Sequence, residues 1–331
     1  MRNIVLVDFD ADEDWSFCNY LNKRCEDWHV IKKVTNHLHG SRLSNILRFA
    51  WYFLFPFSIV LRRKQYDKII CWQQFFGLNY AFWCNLFRLK KVNDLTVMTF
   101  IYKRKNGMVG KIYSAYMNYV VSSPYIDRFI CFSQAECDYY SSLFGLRKEK
   151  FVFVPLGVPD QSDLTIGDGK YIFSSGRSNR DYDFLIDSLK DSSFHVVIAS
   201  DTYQRADKMG NIKLLHDCYG QEMMKLMANS RCVVVPLDDL KMSSGQLVVL
   251  QAMSLGKPVI CTKSDGIKDY VQEGKTGFLI ENDKVQLLSV LHKLFEDQPL
   301  YEEICANART VYQDCFTEEA MLERIAYCVV S

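Results

Sequence analysis

Short runs of β-branched and other apolar residues alternate with longer stretches of helical periodicity along the chain. In the first half, the short runs predict strands at Ile4–Asp8, His29–Val34, Lys68–Trp72, Leu95–Ile101, Arg128–Phe132 and Phe151–Val154. The longer stretches predict helices at Trp15–Cys25, Leu43–Arg62, Phe75–Phe87, Met108–Val121 and Gln134–Phe144. Strands that alternate with helices of this length indicate βαβ units and a parallel sheet.

The pattern is interrupted at Pro155–Asp160 and resumes at Tyr171 after a polar stretch. In the second half it predicts strands at Tyr171–Ser174, His195–Ala199, Ile212–Leu215, Cys232–Pro236, Pro258–Cys261 and Gly277–Ile280. It predicts helices at Tyr182–Leu189, Gln221–Ala228, Leu247–Leu255, Lys268–Gln272 and Lys284–Glu296. The sequence therefore predicts two doubly wound α/β domains, residues 1–158 and 159–315, followed by a last helix within 316–331.

Length and charge are consistent with this division. A chain of 331 residues is long enough for two domains of roughly 150 residues each. The net charge of +1 conceals an asymmetry, because residues 1–155 carry 22 Lys and Arg against 13 Asp and Glu. The basic first half is expected to meet something anionic, though nucleic acid is not an expected partner.

The cysteines and the terminus bear on the compartment. The 12 cysteines are scattered and none has the C-x-x-C spacing of a zinc or redox site, so free thiols in a reducing cytoplasm are expected. Acidic residues interrupt the N-terminal apolar run too early for a signal peptide. No uninterrupted apolar run of 18 residues is present, which predicts that no segment spans a membrane.

The segment from Pro236 to Ile260 is the most informative for function. A buried strand is expected to end at Pro236, and a helix to open at Ser243-Ser244-Gly245 after a polar loop. Bare amides at such a helix N-terminus form an anion site at the carboxyl edge of a parallel sheet. The alternative is an ordinary capped helix that leads through Gly256 into the next strand.

This segment resembles the donor-binding region of retaining glycosyltransferases with the two-domain GT-B fold, in glycosyltransferase family four. The matching positions are Gly245, Leu247, Ala252, Met253, Gly256, Lys257, Pro258, Val259 and Ile260, followed by Asp265–Val271 and Glu273–Leu279. The resemblance implies two Rossmann-like domains facing across a cleft, with the last helix crossing back to the first domain. It also implies that Gly245 and Gly266 lie in the donor site.

Two positions depart from the pattern of that family. Its two glutamates, which contact the donor sugar and the nucleotide ribose, fall on Ser243 and Gln251. Gln251 can still hydrogen-bond ribose hydroxyls, although without charge assistance. Ser243 is too short to reproduce a glutamate, so Ser244 or Gln246 is expected to replace that contact.

A second match lies at Tyr171–Asp181, a strand followed by a Gly-Arg loop and a helix. In the family this loop holds the donor diphosphate, which assigns Gly176 to donor binding and Arg177 and Arg180 to the leaving diphosphate. Guanidinium groups form bidentate, permanently charged bonds to phosphate, so the resemblance implies catalysis without a metal or other cofactor. The alternative is a surface arginine pair bound to Asp181 and Asp183.

Other signals favour different chemistry. Asp8, Asp10 and Asp12 end the first strand and resemble a D-x-D metal motif or a phosphatase nucleophile loop; we favour a role for Asp8 and Asp10 in binding acceptor hydroxyls. His37 and His39 are interpreted as a loop pair rather than metal ligands. The similar fold of nucleotide-sugar epimerases is a further alternative, which the Gly-Lys-Pro-Val-Ile context disfavours.

An aromatic stretch, Phe49–Leu61, is flanked by Arg48 and by Arg62-Arg63-Lys64. Because Pro56 interrupts it, we expect it to lie in the interface of an anionic membrane rather than to cross it. The alternative is a helix buried against the first sheet.

Together these features predict a metal-independent retaining hexosyltransferase of surface polysaccharide synthesis. It is expected to use a nucleotide-sugar donor and a glycan or lipid-linked glycan acceptor, in the cytoplasm at the inner face of the membrane. The alternative from another class is a non-catalytic GT-B protein that binds sugar or assists a true transferase, which the residues Ser243 and Gln251 motivate.

Overall fold

The computed structural model describes residues 2–11, 15–24, 27–35, 42–205, 210–241 and 243–330. The chain divides into two compact units, one comprising Met1–Val154 with Leu322–Ser331 and the other comprising Pro155–Met321. The division falls at the start of the Pro-rich interruption in the sequence pattern. The chain returns to the first unit within its last helix, α11 (Glu318–Val330).

The first unit contains a parallel sheet covered by helices. Its described strands are β1 (Arg2–Val7), β2 (Trp28–Lys32), β3 (Tyr66–Cys71), β4 (Asp94–Val97), β5 (Arg128–Cys131) and β6 (Phe151–Phe153). Its described helices are α1 (Ser16–Arg24), α2 (Arg42–Leu61), α3 (Gln74–Leu86), α4 (Gly107–Val121) and α5 (Gln134–Phe144). The spatial order is β2-β1-β3-β4-β5-β6, so the strand order reverses between β1 and β3.

The second unit repeats this construction with a different strand order. Its strands are β7 (Tyr171–Ser175), β8 (His195–Ala199), β9 (Ile212–Leu215), β10 (Cys232–Val235), β11 (Val259–Thr262) and β12 (Gly277–Ile280). Its helices are α6 (Tyr182–Leu189), α7 (Gly220–Ala228), α8 (Gln246–Ser254), α9 (Lys284–Glu296) and α10 (Gln298–Cys315). The order β12-β11-β10-β7-β8-β9 reverses between β7 and β10.

Three predicted elements differ from the structure, and one helix was not predicted. Residues 268–272 are not helical; they belong to a series of turns in which Ile267, Tyr270 and Val271 are buried. The strand predicted to reach Ile101 ends at Val97, because Thr99 adopts a left-handed conformation with φ 51°. Helix α10 was not predicted, although Asp297 caps it and Pro299 occupies its first turn. The helix predicted to open at Ser243 begins at Gln246.

Helix α2 lies within one residue of its predicted bounds at each end. It continues through Pro56, and its segment Leu43–Leu61 has the length and the hydropathy, 1.3, of a helix that could cross a membrane. The lack of an uninterrupted apolar run therefore does not exclude a helix of this length and hydropathy, and the expectation that no segment spans a membrane stays a prediction. Only 22% of that window is buried, but Tyr52, Ile59 and Val60 belong to the core of the first unit, so one face of α2 packs there as the alternative expected and most of the helix stays accessible. Length and composition alone do not make α2 a spanning helix.

The cysteines behave as the sequence predicts within the described ranges. All 11 of them there are free, and most are buried among apolar residues. Burial raises the pKa of Cys232 and of Cys261 to about 12, so both thiols remain protonated and pack as small hydrophobic groups.

Candidate functional site

The carboxyl ends of β7 and β10 lie side by side where the strand order of the second unit reverses. In doubly wound sheets, ligands bind outside the carboxyl ends of the strands at this kind of position. The loop that follows β7 contains Gly176–Arg180, and the loop that follows β10 leads through Ser243–Gly245 into α8. The topology thus brings together the two segments that sequence reasoning assigned to donor binding.

The loop after β7 depends on a glycine at its start. Gly176 has φ 137°, and a Cβ at this position would lie 2.6 Å from the Nε of Arg180. Because the space is open, the Arg180 guanidinium folds over the loop and donates to the carbonyl oxygens of Ser175, Ser178 and Asn179, at 3.1, 3.0 and 3.3 Å. Burial lowers the pKa of Arg180. Arg180 therefore shapes the loop through backbone contacts.

Arg177 has partners outside that loop and is the more accessible of the two arginines. Its side chain is 66% exposed and pairs with Asp201, whose Oδ2 lies 2.8 Å from Nη2. Its guanidinium carbon lies 5.3 Å from the centre of the Tyr219 ring. Hydrogen bonding to Tyr219 and the charge of Asp201 raise the pKa of Arg177. Its Nε also donates to the other oxygen of Asp201 at 3.2 Å, so Arg177 is held in a two-bond ion pair while much of its guanidinium stays open to solvent.

The alternative in which both arginines pair with Asp181 and Asp183 is wrong. Asp181 caps α6 by accepting from the amide of Phe184 at 2.9 Å. Asp183 instead accepts from the hydroxyl of Tyr203 at 2.6 Å and pairs with Arg205.

Helix α8 begins with Gly245, which has φ 91° as the N-terminal cap. A Cβ on Gly245 would lie 3.1 Å from the Val235 side chain at the end of β10. The first amides of α8 have no intrahelical acceptor, since the first helical bond runs from Val249 to the carbonyl of Gly245. These amides are the donors that the predicted anion site needs, and the helix starts three residues after its expected start; anion binding here stays a prediction.

The place of the missing first glutamate is occupied from within α8. The amide nitrogen of Gln246 donates to the hydroxyl of Ser243 and reaches the carbonyl of Gly266 at 3.4 Å. Gln246 is 93% buried, and a Cβ on Gly266 would lie 3.0 Å from its amide nitrogen. Of the two predicted replacements, Gln246 lies against Ser243, whereas the Ser244 hydroxyl accepts a hydrogen bond from Asn179 at 2.6 Å.

Asn179 joins the two loops, and sequence reasoning did not identify it. Its side chain donates to the Asp239 carbonyl at 3.0 Å and accepts from the Asp239 amide at 2.7 Å, in addition to its bond to Ser244. Its φ of 54° is a left-handed conformation that asparagine tolerates better than most residues. An Asn two residues after a Gly-Arg pair was the only available sequence signal.

Gln251 lies in the second half of α8. Its side-chain oxygen is buried and has no hydrogen-bond partner in the part of the chain that the structure describes. Such a group carries a desolvation cost of about 1–3 kcal/mol until it is satisfied by water or a ligand. This oxygen can accept a ribose hydroxyl, as the resemblance implies for this position.

The candidate acceptor residues lie at the corresponding reversal point of the first unit. Asp8 follows β1, and its Oδ2 accepts from the Tyr52 hydroxyl at 3.0 Å and from the Gln73 amide at 2.9 Å, just after β3. Asp10 is exposed and pairs with Lys32 at 2.5 Å. The two carboxylates thus have separate partners.

No group of three or more potential His, Cys, Asp or Glu metal ligands occurs among the residues that the structure describes. Asp12, His37 and His39 lie outside those residues. The metal and phosphatase interpretations of the first acidic loop therefore gain no support from the described geometry.

Residues 170–297 match the family model described as Glycosyl transferases group 1, which covers less than half of the chain. Sulfoquinovosyl transferase SQD2 from Arabidopsis thaliana is 36% identical over 94 residues, 27% of this chain and 18% of that protein. The chain therefore spans less than a fifth of this curated relative.

Two solved structures match the whole chain at low identity. The structure of Anabaena Alr3699/HepE in complex with UDP-glucose has a TM-score of 0.70 and 16% identity, and the match covers 100% of both chains. WaaG, a glycosyltransferase involved in lipopolysaccharide biosynthesis, has a TM-score of 0.67 and 14% identity, and the match covers 99% of both chains. The predicted GT-B fold and the resemblance to group 1 glycosyl transferases are confirmed, and the matched segment contains the site built above.

Proposed function

We propose that this protein is a retaining hexosyltransferase that moves a sugar from a nucleoside-diphospho-sugar to a lipid-linked glycan during surface polysaccharide synthesis. One observation carries the proposal: the strand reversal in the second unit joins the Gly176–Arg180 loop to the start of α8, within the segment that matches the family model. The loop that carries Arg177 and the N-terminus of α8 are joined by the hydrogen bond from Asn179 to Ser244, so cationic and amide donors lie on adjacent segments at this edge of the sheet.

The residues have distinct roles in the proposed reaction. The bond between the sugar C1 and the β-phosphate oxygen breaks while an acceptor hydroxyl forms the new bond on the same face. Arg177 and the α8 amides stabilise the charge that develops on the diphosphate, and Arg180 holds the loop in shape. The departing phosphate takes the acceptor proton. Gln246 and Gln251 bind the sugar and the ribose, respectively.

The acceptor assignment is supported by the surroundings of Asp8. Tyr52, which binds Asp8, lies on α2, and the preceding turns of this helix expose Leu43, Ile46 and Leu47. A lipid-linked glycan would present hydroxyls to the carboxylate and an apolar chain to the helix. WaaG acts in lipopolysaccharide biosynthesis and HepE binds UDP-glucose, which favours this donor and acceptor class.

A donor panel tests the activity. A nucleotide-sugar at a hundredfold its Kd should stabilise the protein by about 2.7 kcal/mol, which a thermal shift assay detects. The best donor is then incubated with lipid-linked acceptors, and NMR of the product gives the anomeric configuration. Transfer with inversion would contradict the retaining mechanism. Donor binding with neither transfer nor hydrolysis would identify the non-catalytic sugar-binding alternative.

Transfer is expected to continue in excess EDTA. The leaving diphosphate meets positive charge from Arg177 and partial charge from the α8 amides, which can replace a divalent cation. Initial rates with EDTA, and with EDTA followed by excess Mg²⁺, provide the measurement. If chelation stops transfer and Mg²⁺ restores it, Asp8 and Asp10 become the first candidates for metal ligands.

Replacing Asn179 by glycine is expected to weaken donor binding about tenfold. Glycine keeps the positive φ, so the variant loses only the side-chain bonds to Asp239 and Ser244, each worth about 0.5–1.5 kcal/mol. The measurement is the donor Kd by calorimetry. Asn211→Ala is the control. Asn211 directly precedes β9, and its side chain donates to the carbonyls of Leu189, Ser192 and Phe194. An unchanged Kd in Asn179→Gly would remove Asn179 from the site.

Peripheral attachment to the cytoplasmic membrane surface is part of the same proposal. Helices α2 and α4 lie on either side of α3, since Phe82 of α3 packs against Phe53 and Tyr116. Both outer helices expose large apolar side chains. On α4 these are Met108, Val109 and Ile112, at 79%, 74% and 66% exposure. Four basic residues accompany them: Lys103, Arg104, Lys105 and Lys111.

A further inference from the structure

A cavity lies at the amino-terminal edge of the first unit's sheet, whereas Asp8 lies at its carboxyl edge. It measures about 630 Å³ and is formed by the segments that precede β4, β5 and β6. Its charged lining residues are Lys91, Asp127, Arg128, Arg147, Glu149 and Lys150. Because it lies at the amino-terminal ends of the strands, it takes no part in the chemistry at the carboxyl ends.

Two of the four cations in this cavity are already compensated. Lys91 pairs with Asp127, whose other oxygen accepts from the Leu95 amide at 2.9 Å. Arg128 forms a two-bond pair with Asp94, at 3.0 and 3.1 Å. These ion pairs use the carboxylates of both aspartates.

Arg147 and Lys150 are different. Across the described ranges of the chain, neither forms an ion pair. The Lys150 ammonium donates to the carbonyl of Ser123 at 2.8 Å, and the Lys91 ammonium donates to the next carbonyl, that of Pro124, at 3.1 Å. The ammonium groups of Lys91 and Lys150 therefore bind consecutive carbonyls of one turn. Arg147 lines the same cavity.

The titration of Lys150 reflects this crowding. Burial lowers the pKa of Lys150 to about 8, the charge of Asp127 opposes this shift, and the charges of Lys91 and Arg147 add to it. A bound anion would favour the protonated ammonium and raise this pKa toward its ordinary value. Among the described residues, Glu149 is the one lining carboxylate outside the two ion pairs of this cavity. It offsets one of the two positive charges of Arg147 and Lys150, so one positive charge stays unbalanced.

We propose that this cavity binds a phosphate dianion or a phosphomonoester, with Lys150 and Arg147 as its main ligands and Lys91 beside them. A phosphate would supply the negative charge that Arg147 and Lys150 lack after Glu149 is counted, and both side chains offer charge-assisted donors to its oxygens. The volume leaves room for an organic group on the phosphate. This site is separate from the donor site and does not depend on the proposed transferase activity.

Calorimetric titration with inorganic phosphate and with pyrophosphate, at pH 7 and low ionic strength, tests the site. We expect saturable binding to the wild-type protein and at least about tenfold weaker binding to Lys150→Gln and to Arg147→Gln, since each removes a charge-assisted hydrogen bond. Lys148→Gln is the matched control, because Lys148 lies on the same turn but is exposed and pairs with Asp138 at 2.7 Å. Arg147 is exposed, so its variant is expected to fold even if Lys150→Gln does not.

The protonation of the Lys150 ammonium provides a second measurement. NMR of the Lys150 side chain should show a higher pKa in saturating phosphate, and phosphate affinity should fall as the pH rises through about 8. Absence of saturable binding, or equal weakening in Lys148→Gln, would overturn the proposal.

Vesicles distinguish two sources of the same headgroup chemistry. If vesicles containing phosphatidic acid bind wild type and Lys150→Gln equally while soluble phosphate distinguishes them, the ligand is soluble. If vesicle binding is also lost in Lys150→Gln, the ligand is a lipid headgroup.

Discussion

Replacing Arg177 by alanine is expected to lower kcat/KM for transfer about a hundredfold, or on the order of 3 kcal/mol, with the fold intact. Arg177 is 66% exposed, so its removal creates no cavity, but it takes a fixed positive charge from the side of the β7 loop where the diphosphate would leave. Arg177→Lys should recover only part of the rate, because an ammonium lacks the bidentate geometry. Initial rates over a range of donor concentrations provide the measurement.

The control is Lys225→Ala, which removes an exposed cation from α7 in the same unit. If the loss in Arg177→Ala reflected only the net charge of the unit, Lys225→Ala would show a similar decrease. A rate near that of the wild type in Arg177→Ala, with an unchanged melting temperature, would contradict the assignment of the β7 loop to the diphosphate.

Much of the fold was predictable because its strands are short runs rich in buried apolar residues. The strands at His195–Ala199, Ile212–Leu215 and Gly277–Ile280 have the predicted bounds, as does the helix Tyr182–Leu189. Each is a short apolar run bounded by polar or turn residues, so local patterning and tertiary burial agree. Helix α10, which was not predicted, is amphipathic and follows α9 after a single residue. That residue, Asp297, is the C-terminal cap of α9 and the N-terminal cap of α10.

The candidate site was predictable only where the chemistry depends on local sequence. Gly176 and Gly245 both have positive φ, so their conformation could be inferred from a glycine that precedes a helix. Lys257, one of the positions that match the family, is 99% buried and donates to the Gly167 carbonyl at 2.6 Å. The sequence pattern alone does not reveal this structural role. Asn179 escaped prediction because its partners are 60 or more residues away.

The residues proposed to face a membrane were also only partly predictable. The aromatic stretch suggested Trp51 and Phe55, but Phe55 packs against Phe76 with ring centres 4.9 Å apart, and Lys33 lies 3.4 Å from the centre of the Trp51 ring. Helical periodicity does not show which face of a helix meets the sheet. Highly exposed apolar side chains for a test lie instead on α4, which contains no aromatic run.

Replacing Met108, Val109 and Ile112 together by serine is expected to reduce binding to anionic vesicles about a hundredfold. Each exposed apolar side chain that enters the interface contributes about 1 kcal/mol or more, and three of them give on the order of 3 kcal/mol. Because all three are more than 60% exposed, the variant should keep the melting temperature and donor affinity of the wild type. Cosedimentation over a range of lipid concentrations measures the change.

The electrostatic contribution to vesicle binding can be measured separately from the apolar one. Replacing Lys103, Arg104 and Lys105 by serine should weaken binding to anionic vesicles by about 1 kcal/mol per residue at low salt and leave the already weak binding to neutral vesicles unchanged. Added salt should reduce the difference between wild type and variant, since exposed charges are screened beyond roughly 10 Å at 0.1 M. The control is Lys190→Ser with Lys225→Ser, which removes exposed cations from the second unit and should leave vesicle binding unchanged. Equal binding of the wild-type protein to anionic and neutral vesicles at low salt would contradict peripheral attachment, and a soluble glycan would then be the better acceptor to test.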